Sequence, residues 1–99
     1  MQEKGARINA DCLMVLWQRS QAEQARLGLT VSSKVGPAVT RNRIRRHLRE
    51  FFRQRKTEFP LGVDVVVIAR TSAKDASREA LHRAFGRALN DLKKRVPAK

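Results

Sequence analysis

The chain has 99 residues, 41% of them apolar, and carries 22 Lys and Arg against nine Asp and Glu, a net charge of +13. That length supports one domain with a single small core and excludes two, and the apolar fraction excludes a disordered basic tail. No stretch approaches the roughly 20 apolar residues of a membrane-spanning helix, and no signal-peptide pattern is present, so a soluble cytoplasmic protein with no membrane partner is expected.

A charge excess of this size opposes compaction by self-repulsion and points to a counter-charged partner, nucleic acid before an anionic membrane surface. Cys12 is the single cysteine and excludes an internal disulfide; two isolated histidines, His47 and His82, argue against a protein zinc site.

Along the chain, the polar residues 1–7 (MQEKGAR) read as a disordered end or the remnant of a longer helix. Residues 8–19 read as one strand, kinked near Asn9 to Asp11, with Met14 and Leu16 on one side and Leu13, Val15 and Trp17 on the other. Cys12 in this stretch reads as an ordinary buried thiol. A polar link (20–24) leads to residues 25–33, where Leu27, Leu29 and Val31 alternate with Gly28, Thr30 and Ser32. Two strands with a short polar link suggest an antiparallel hairpin.

Pro37 suits the first turn of a helix, because its missing N–H has no partner there anyway. From Pro37 to about Lys56, Ile44, Leu48, Phe51 and Phe52 recur at helical spacing and form one face. Pro60 and Gly62 punctuate the next connection. Residues 63–70 (VDVVVIAR) form a nearly continuous β-branched run, as expected of a strand covered on both faces. After a loop in which Asp75 or Ser77 can cap, Leu81, Ala84, Phe85, Ala88, Leu89 and Leu92 mark a last helix over about 77–95. Glu79 with Arg83 and Asp91 with Arg95 are spaced for i,i+4 pairs on its outer side. The order β-β-α-β-α predicts a single-sheet α+β domain, in which strand, arginine helix and strand form a β-α-β unit with parallel pairing.

The middle helix carries six arginines between Arg41 and Arg53. At 100° per residue, Asn42, Arg46, Arg49 and Arg53 form one polar stripe, Arg41 and Arg45 a second row beside it, and Arg43, His47 and Glu50 a flank. Like charges at i,i+4 each cost a few tenths of a kcal/mol, and Glu50 is the one acid nearby, so a merely solvated helix is disfavoured. Arginine, with its planar fork, suits phosphate better than lysine does. A phosphate-contacting helix is the outcome, with RNA and DNA both open. His47 on the flank is expected to face solvent, His82 to lie on the surface, and Arg78, Arg83, Arg87 and Lys94 either extend the basic field or form a solvated face. Neither histidine sits in a recognisable acid–base pair.

Residues 28–52 (GLTVSSKVGPAVTRNRIRRHLREFF) closely resemble the core of the bacterial ribonuclease P protein subunit, a family with a Ser-Lys-Lys-x-Gly-x-Ala-Val loop, an Arg-Asn-Arg helix and a Val/Ile-rich strand ending in Ile-Ala-Arg. Here Lys34, Gly36, Ala38-Val39, Arg41-Asn42-Arg43 and Ile68-Ala69-Arg70 hold those places, and the looser match runs from about Gly5 to Leu92. Ser33 and Pro37 depart from the pattern. The resemblance implies a subunit of an endoribonuclease whose catalysis, and whose Mg²⁺, belong to the catalytic RNA, with no catalytic or metal-binding residue in the protein.

It implies that Lys34, Arg41, Asn42, Arg43, Arg45, Arg46, Arg49 and Arg53 contact the RNase P catalytic RNA. The 5′ leader of precursor tRNA is then expected along the sheet, at Met14, Leu16, Trp17, Thr30 and Ser32. It also implies one sheet of four strands or fewer and a left-handed β-α-β crossover, against the general right-handed rule. Set against the family, this chain is expected to begin where the leader-lining N-terminal helix would be ending, which makes leader binding the least firmly implied function. Oligomeric state stays open. Another small basic RNA-binding protein, such as a ribosomal or assembly factor, is the alternative. A protein nuclease is a third, disfavoured by the scattered carboxylates.

Overall fold

A computed structural model of the protein describes residues 6–21 and 23–96. The elements are β1 (Ala6–Ala10), β2 (Leu13–Arg19), β3 (Arg26–Thr30), α1 (Ala38–Gln54), a 3₁₀ turn (Lys56–Glu58), β4 (Val63–Ala69), a second 3₁₀ turn (Thr71–Asp75) and α2 (Arg78–Arg95). The four strands form one mixed sheet in the order β1-β2-β4-β3, with β3 and β4 parallel and the other pairs antiparallel. The α+β class and the parallel β-α-β unit expected from the sequence are therefore present. The expectation for residues 1–5 lies outside the described residues, but Ala6 and Arg7 are the first two residues of β1 rather than part of a disordered end.

Three strand expectations are corrected. The single kinked strand is two strands that pair through Ala10 and Leu13 across a two-residue turn. Asp11 makes that turn with φ 53°, a left-handed conformation that aspartate tolerates better than most residues. Second, β2 and β3 do not form a hairpin, because β4 lies between them and pairs with both. The β-branched run takes the centre of the sheet, where both its edges are hydrogen-bonded. Third, β4 is covered on one face only: Val63, Val65, Val67 and Ala69 are buried, while Asp64, Val66 and Ile68 are half-exposed.

The covered face carries the helices. In α1 the buried positions are Ile44, Leu48 and Phe51, the face anticipated from spacing, and Phe52 packs at the core's edge. The helix stops at Gln54 rather than Lys56, where the chain tightens into the first 3₁₀ turn. In α2 the buried stripe is the expected one, and the Ser77 side chain caps its start by accepting from the Ala80 N–H at 3.0 Å. Asp91 and Arg95 form the anticipated pair at 3.2 Å. Phe51 stacks on Phe85 at 4.7 Å between ring centroids, and Phe59 meets Phe85 edge-on at 5.7 Å. This aromatic seam joins both helices over the sheet, and Cys12 is a buried free thiol, raised in pKa chiefly by burial. No described helix is long and apolar enough to cross a membrane.

Candidate nucleic-acid interface

Anchoring Ile44, Leu48 and Phe51 in the core turns the opposite side of α1 outward, so Asn42, Arg46, Arg49 and Arg53 are all exposed. Lys34 is exposed in the preceding turn, closed by the Val35 N–H donating to the Ser32 carbonyl at 3.0 Å. Gly36 lets this loop close on the helix, since a Cβ there would lie 3.3 Å from the Thr40 side chain. Arg41 and Arg45 are half-buried. Arg41 Nε donates to the Gly36 carbonyl at 3.1 Å and Arg45 donates to Asn42 Oδ1 at 3.3 Å, which holds this second row against the helix.

Arg43 behaves differently from its neighbours. Its guanidinium donates to the carbonyls of Ala76 at 3.0 Å and Lys74 at 2.8 Å, tying α1 to the segment that leads into α2. Seven of the eight anticipated RNA-facing residues thus share the loop and outer side of α1, while Arg43 is turned into the fold.

The flank is not solvent-facing as expected. The side chains of His47 and His82 are only 15% and 16% exposed, and their rings meet edge-on at 6.5 Å. His82 Nε2 lies 3.0 Å from the His47 carbonyl, which can only accept, so the neutral ring carries its proton on Nε2. Glu50 Oε1 accepts from Arg78 Nε at 2.9 Å and lies 3.5 Å from His82 and 4.0 Å from His47. The Arg78 hydrogen bond holds the Glu50 carboxyl below the usual range. Burial, followed by the charges of Arg46 and Arg43, lowers His47, which keeps it neutral near pH 7. This Glu50–Arg78–histidine cluster was not anticipated, because its members lie on two helices up to 35 residues apart.

The second surface is the open face of the sheet. Strand register places Met14 and Leu16 of β2 beside Ile68 and Val66 of β4, with Gly28 and Thr30 of β3 next to them. A shallow depression of about 400 Å³ is lined by Leu16, Trp17, Gln18, Asp64 and Val66. At one end, Arg26 forks onto Asp64 through Nε and Nη2, both at 2.8 Å, and depresses its carboxyl. At the other, Arg70 donates to Asn9.

Of the five residues expected to meet a leader, Met14, Leu16 and Thr30 share this face, and Ser32 is exposed just beyond β3. Trp17 contributes only to the rim of the depression: it pairs with the core position Val65 and packs against the core. The alternation of a strand puts it opposite Leu16. Its indole Nε1 is buried without an acceptor among the described residues.

Among the described residues no group of three or more His, Cys, Asp or Glu could hold a metal ion. An exposed arginine stripe on α1, together with an open, largely apolar sheet face, defines the chain as a nucleic-acid-binding α+β domain. The family model described as Ribonuclease P matches residues 1–93. The ribonuclease P protein component of Desulfosudis oleivorans is 36% identical over 94 residues, covering 95% of this chain and 78% of that protein. That of Desulfovibrio desulfuricans is 40% identical over 77 residues, covering 76% of this chain and 59% of that protein. Among solved structures, the Staphylococcus aureus RNase P protein superposes with a TM-score of 0.84 at 33% identity, covering 90% of this chain and 82% of that one. The chain belongs to the ribonuclease P protein component family.

Proposed function

We propose that the chain is the protein cofactor of a ribozyme that matures the 5′ ends of tRNAs in the cytoplasm. In this reading α1 and the Lys34 turn bind the catalytic RNA, and the open sheet face guides the 5′ leader of precursor tRNA. The observation that carries it is the pairing of two surfaces. Arg46, Arg49 and Arg53 are exposed on a helix whose single acid, Glu50, is already taken by Arg78. On the face of the sheet turned away from α1, Met14, Leu16, Val66 and Ile68 are left half-exposed.

Phosphates meet the first surface through forked guanidinium contacts, and unstacked bases rest on the second by apolar contact. In this reading Mg²⁺ belongs to the RNA. The protein contributes binding and orientation, and no side chain acts on the scissile phosphodiester.

The test is a titration of the catalytic RNA with wild type and with Arg46→Ala/Arg49→Ala. If six to ten phosphates are contacted, wild-type affinity falls about 10³- to 10⁵-fold between 50 and 200 mM salt. The double variant should bind more weakly, with a salt slope shallower by about 2, and melt like wild type. Unchanged binding would remove α1 from the interface.

A further inference from the structure

An open recess of about 540 Å³ lies where α1 meets the start of α2, lined by Arg46, His47, Arg49, Glu50, Arg53 and Arg78. Four of these six are arginines, and the one carboxylate among them is already bonded to Arg78 at 2.9 Å. Three of the arginines belong to the exposed stripe of α1, whereas Arg78 is delivered by the other helix, 28 residues beyond Glu50. Glu50 takes only Nε of the Arg78 fork, which leaves the two Nη groups to meet another acceptor. The neighbouring His47 is kept neutral by burial and by adjacent arginines, so it adds neither repulsion nor attraction near pH 7.

Converging guanidinium groups with free N–H donors are the arrangement that recognises a phosphate bidentately. A recess walled by the same arginines that face RNA is continuous with that interface.

We propose that this recess seats one backbone phosphate of the RNA partner, with Arg78 as a phosphate ligand supplied by α2 and Glu50 as the positioning residue that aims it. The proposal rests on α1 binding RNA and extends the contact from one helix to the junction of two. The RNA backbone is then fixed across α1 as well as along it. Arg87, also on α2, does not share this role: it is paired with Asp11 at 3.0 Å, in the turn between β1 and β2.

The experiment titrates the catalytic RNA with wild type, Arg78→Gln, Glu50→Gln and Arg87→Gln over a series of salt concentrations, with a thermal melt of each. Arg78→Gln should bind about 3- to 10-fold more weakly, with a salt slope shallower by about 1. Glu50→Gln keeps a neutral acceptor for Arg78 Nε, so it should lose some affinity, less than Arg78→Gln does, and keep its salt slope. Arg87→Gln should leave the slope unchanged.

An unchanged slope in Arg78→Gln, or an equal loss in Arg78→Gln and Glu50→Gln, overturns the proposal and makes the pair a staple between helices. A slope loss in Arg87→Gln matching that of Arg78→Gln overturns it too, as general charge would then suffice. If Arg78→Gln fails to fold, Arg78→Lys replaces it: it should lose severalfold in affinity because it cannot fork, and wild-type affinity would be contrary. The Arg46→Ala/Arg49→Ala control separates the failures. No effect there defeats the α1 reading itself, whereas an effect there with none at Arg78 defeats only the phosphate seat.

Discussion

Arg43 separates an RNA contact from a structural tie most sharply. It lies in the Arg41-Asn42-Arg43 run, yet its guanidinium donates to the Ala76 and Lys74 carbonyls at 3.0 and 2.8 Å, just before the Ser77 cap of α2. A hydrogen bond from a charged donor contributes about 1.5–3 kcal/mol when buried. Arg43 is half-buried and one of its bonds is exposed, so about 1 kcal/mol each is the fitting value after discounting for solvent. Arg43→Ala should therefore cost about 2 kcal/mol. In a domain of this size 1 kcal/mol shifts the melting midpoint by about 4–8 °C, which places the variant roughly 10 °C below wild type. Arg46→Ala, exposed and not tied to a carbonyl, should stay within about 0.5 kcal/mol of wild type while flattening the salt dependence of RNA binding by about 1. Circular dichroism melts and RNA titrations on the two variants give the comparison. An Arg43→Ala protein that melts like wild type and loses the same salt slope as Arg46→Ala would refute the reasoning and return Arg43 to the RNA.

Phe85 is fully buried between Phe51 and Phe59, so Phe85→Ala should lose about 3–5 kcal/mol in urea denaturation; a loss under 1 kcal/mol would mean the aromatic seam is not the core's centre. The Asp64 carboxyl is held low by Arg26, so its contribution is fully present above the unfolded value of about 3.9 and is lost as pH falls through the lower folded one. Asp64→Asn should accordingly flatten the acid limb of a stability–pH curve, and an unaltered limb would assign acid unfolding elsewhere. His47 is also lowered, by burial first; the unfolded chain takes up its proton first, so stability should decline as pH drops below about 6.5, and His47→Gln should remove that decline. Leu16→Glu places a negative charge on the half-exposed open face. It should weaken cleavage stimulation for long-leader precursors and spare those with a one-nucleotide leader, an equal effect on both being the contrary result.

Local patterns made the helices legible. Ile44, Leu48 and Phe51, and the stripe from Leu81 to Leu92, are buried where their spacing put them, and of the two candidate caps, Asp75 and Ser77, it is Ser77 that caps α2. The β3–α1–β4 unit was readable because a strand, a helix and a β-branched run follow one another directly. The hairpin at Asp11 was not, since the turn uses a residue other than glycine and leaves the apolar run from Cys12 onward looking like a continuation. The central place of β4 was hidden for a related reason. A continuous Val/Ile run looks the same whether both faces are buried or one is half-open, and only the finished sheet shows Val66 and Ile68 uncovered.

At the site, the stripe of α1 followed from a 100° rotation per residue. Which of its arginines are free for a ligand depends on partners far along the chain. Arg43 finds carbonyls 31 and 33 residues away, and Glu50 finds Arg78 28 residues away. Trp17 shows the same limit in a strand: alternation set it opposite Leu16, and only the helices packed on that side show that its face is the covered one.

The most direct test of the central claim is cleavage of a precursor tRNA at low Mg²⁺ by the cognate catalytic RNA, with and without this chain. The account predicts cleavage at the mature 5′ end that is stimulated only when RNA and protein are both present, and no cleavage by the protein alone. Cleavage by the protein in the absence of the catalytic RNA, or tight binding to that RNA with no stimulation, would contradict it.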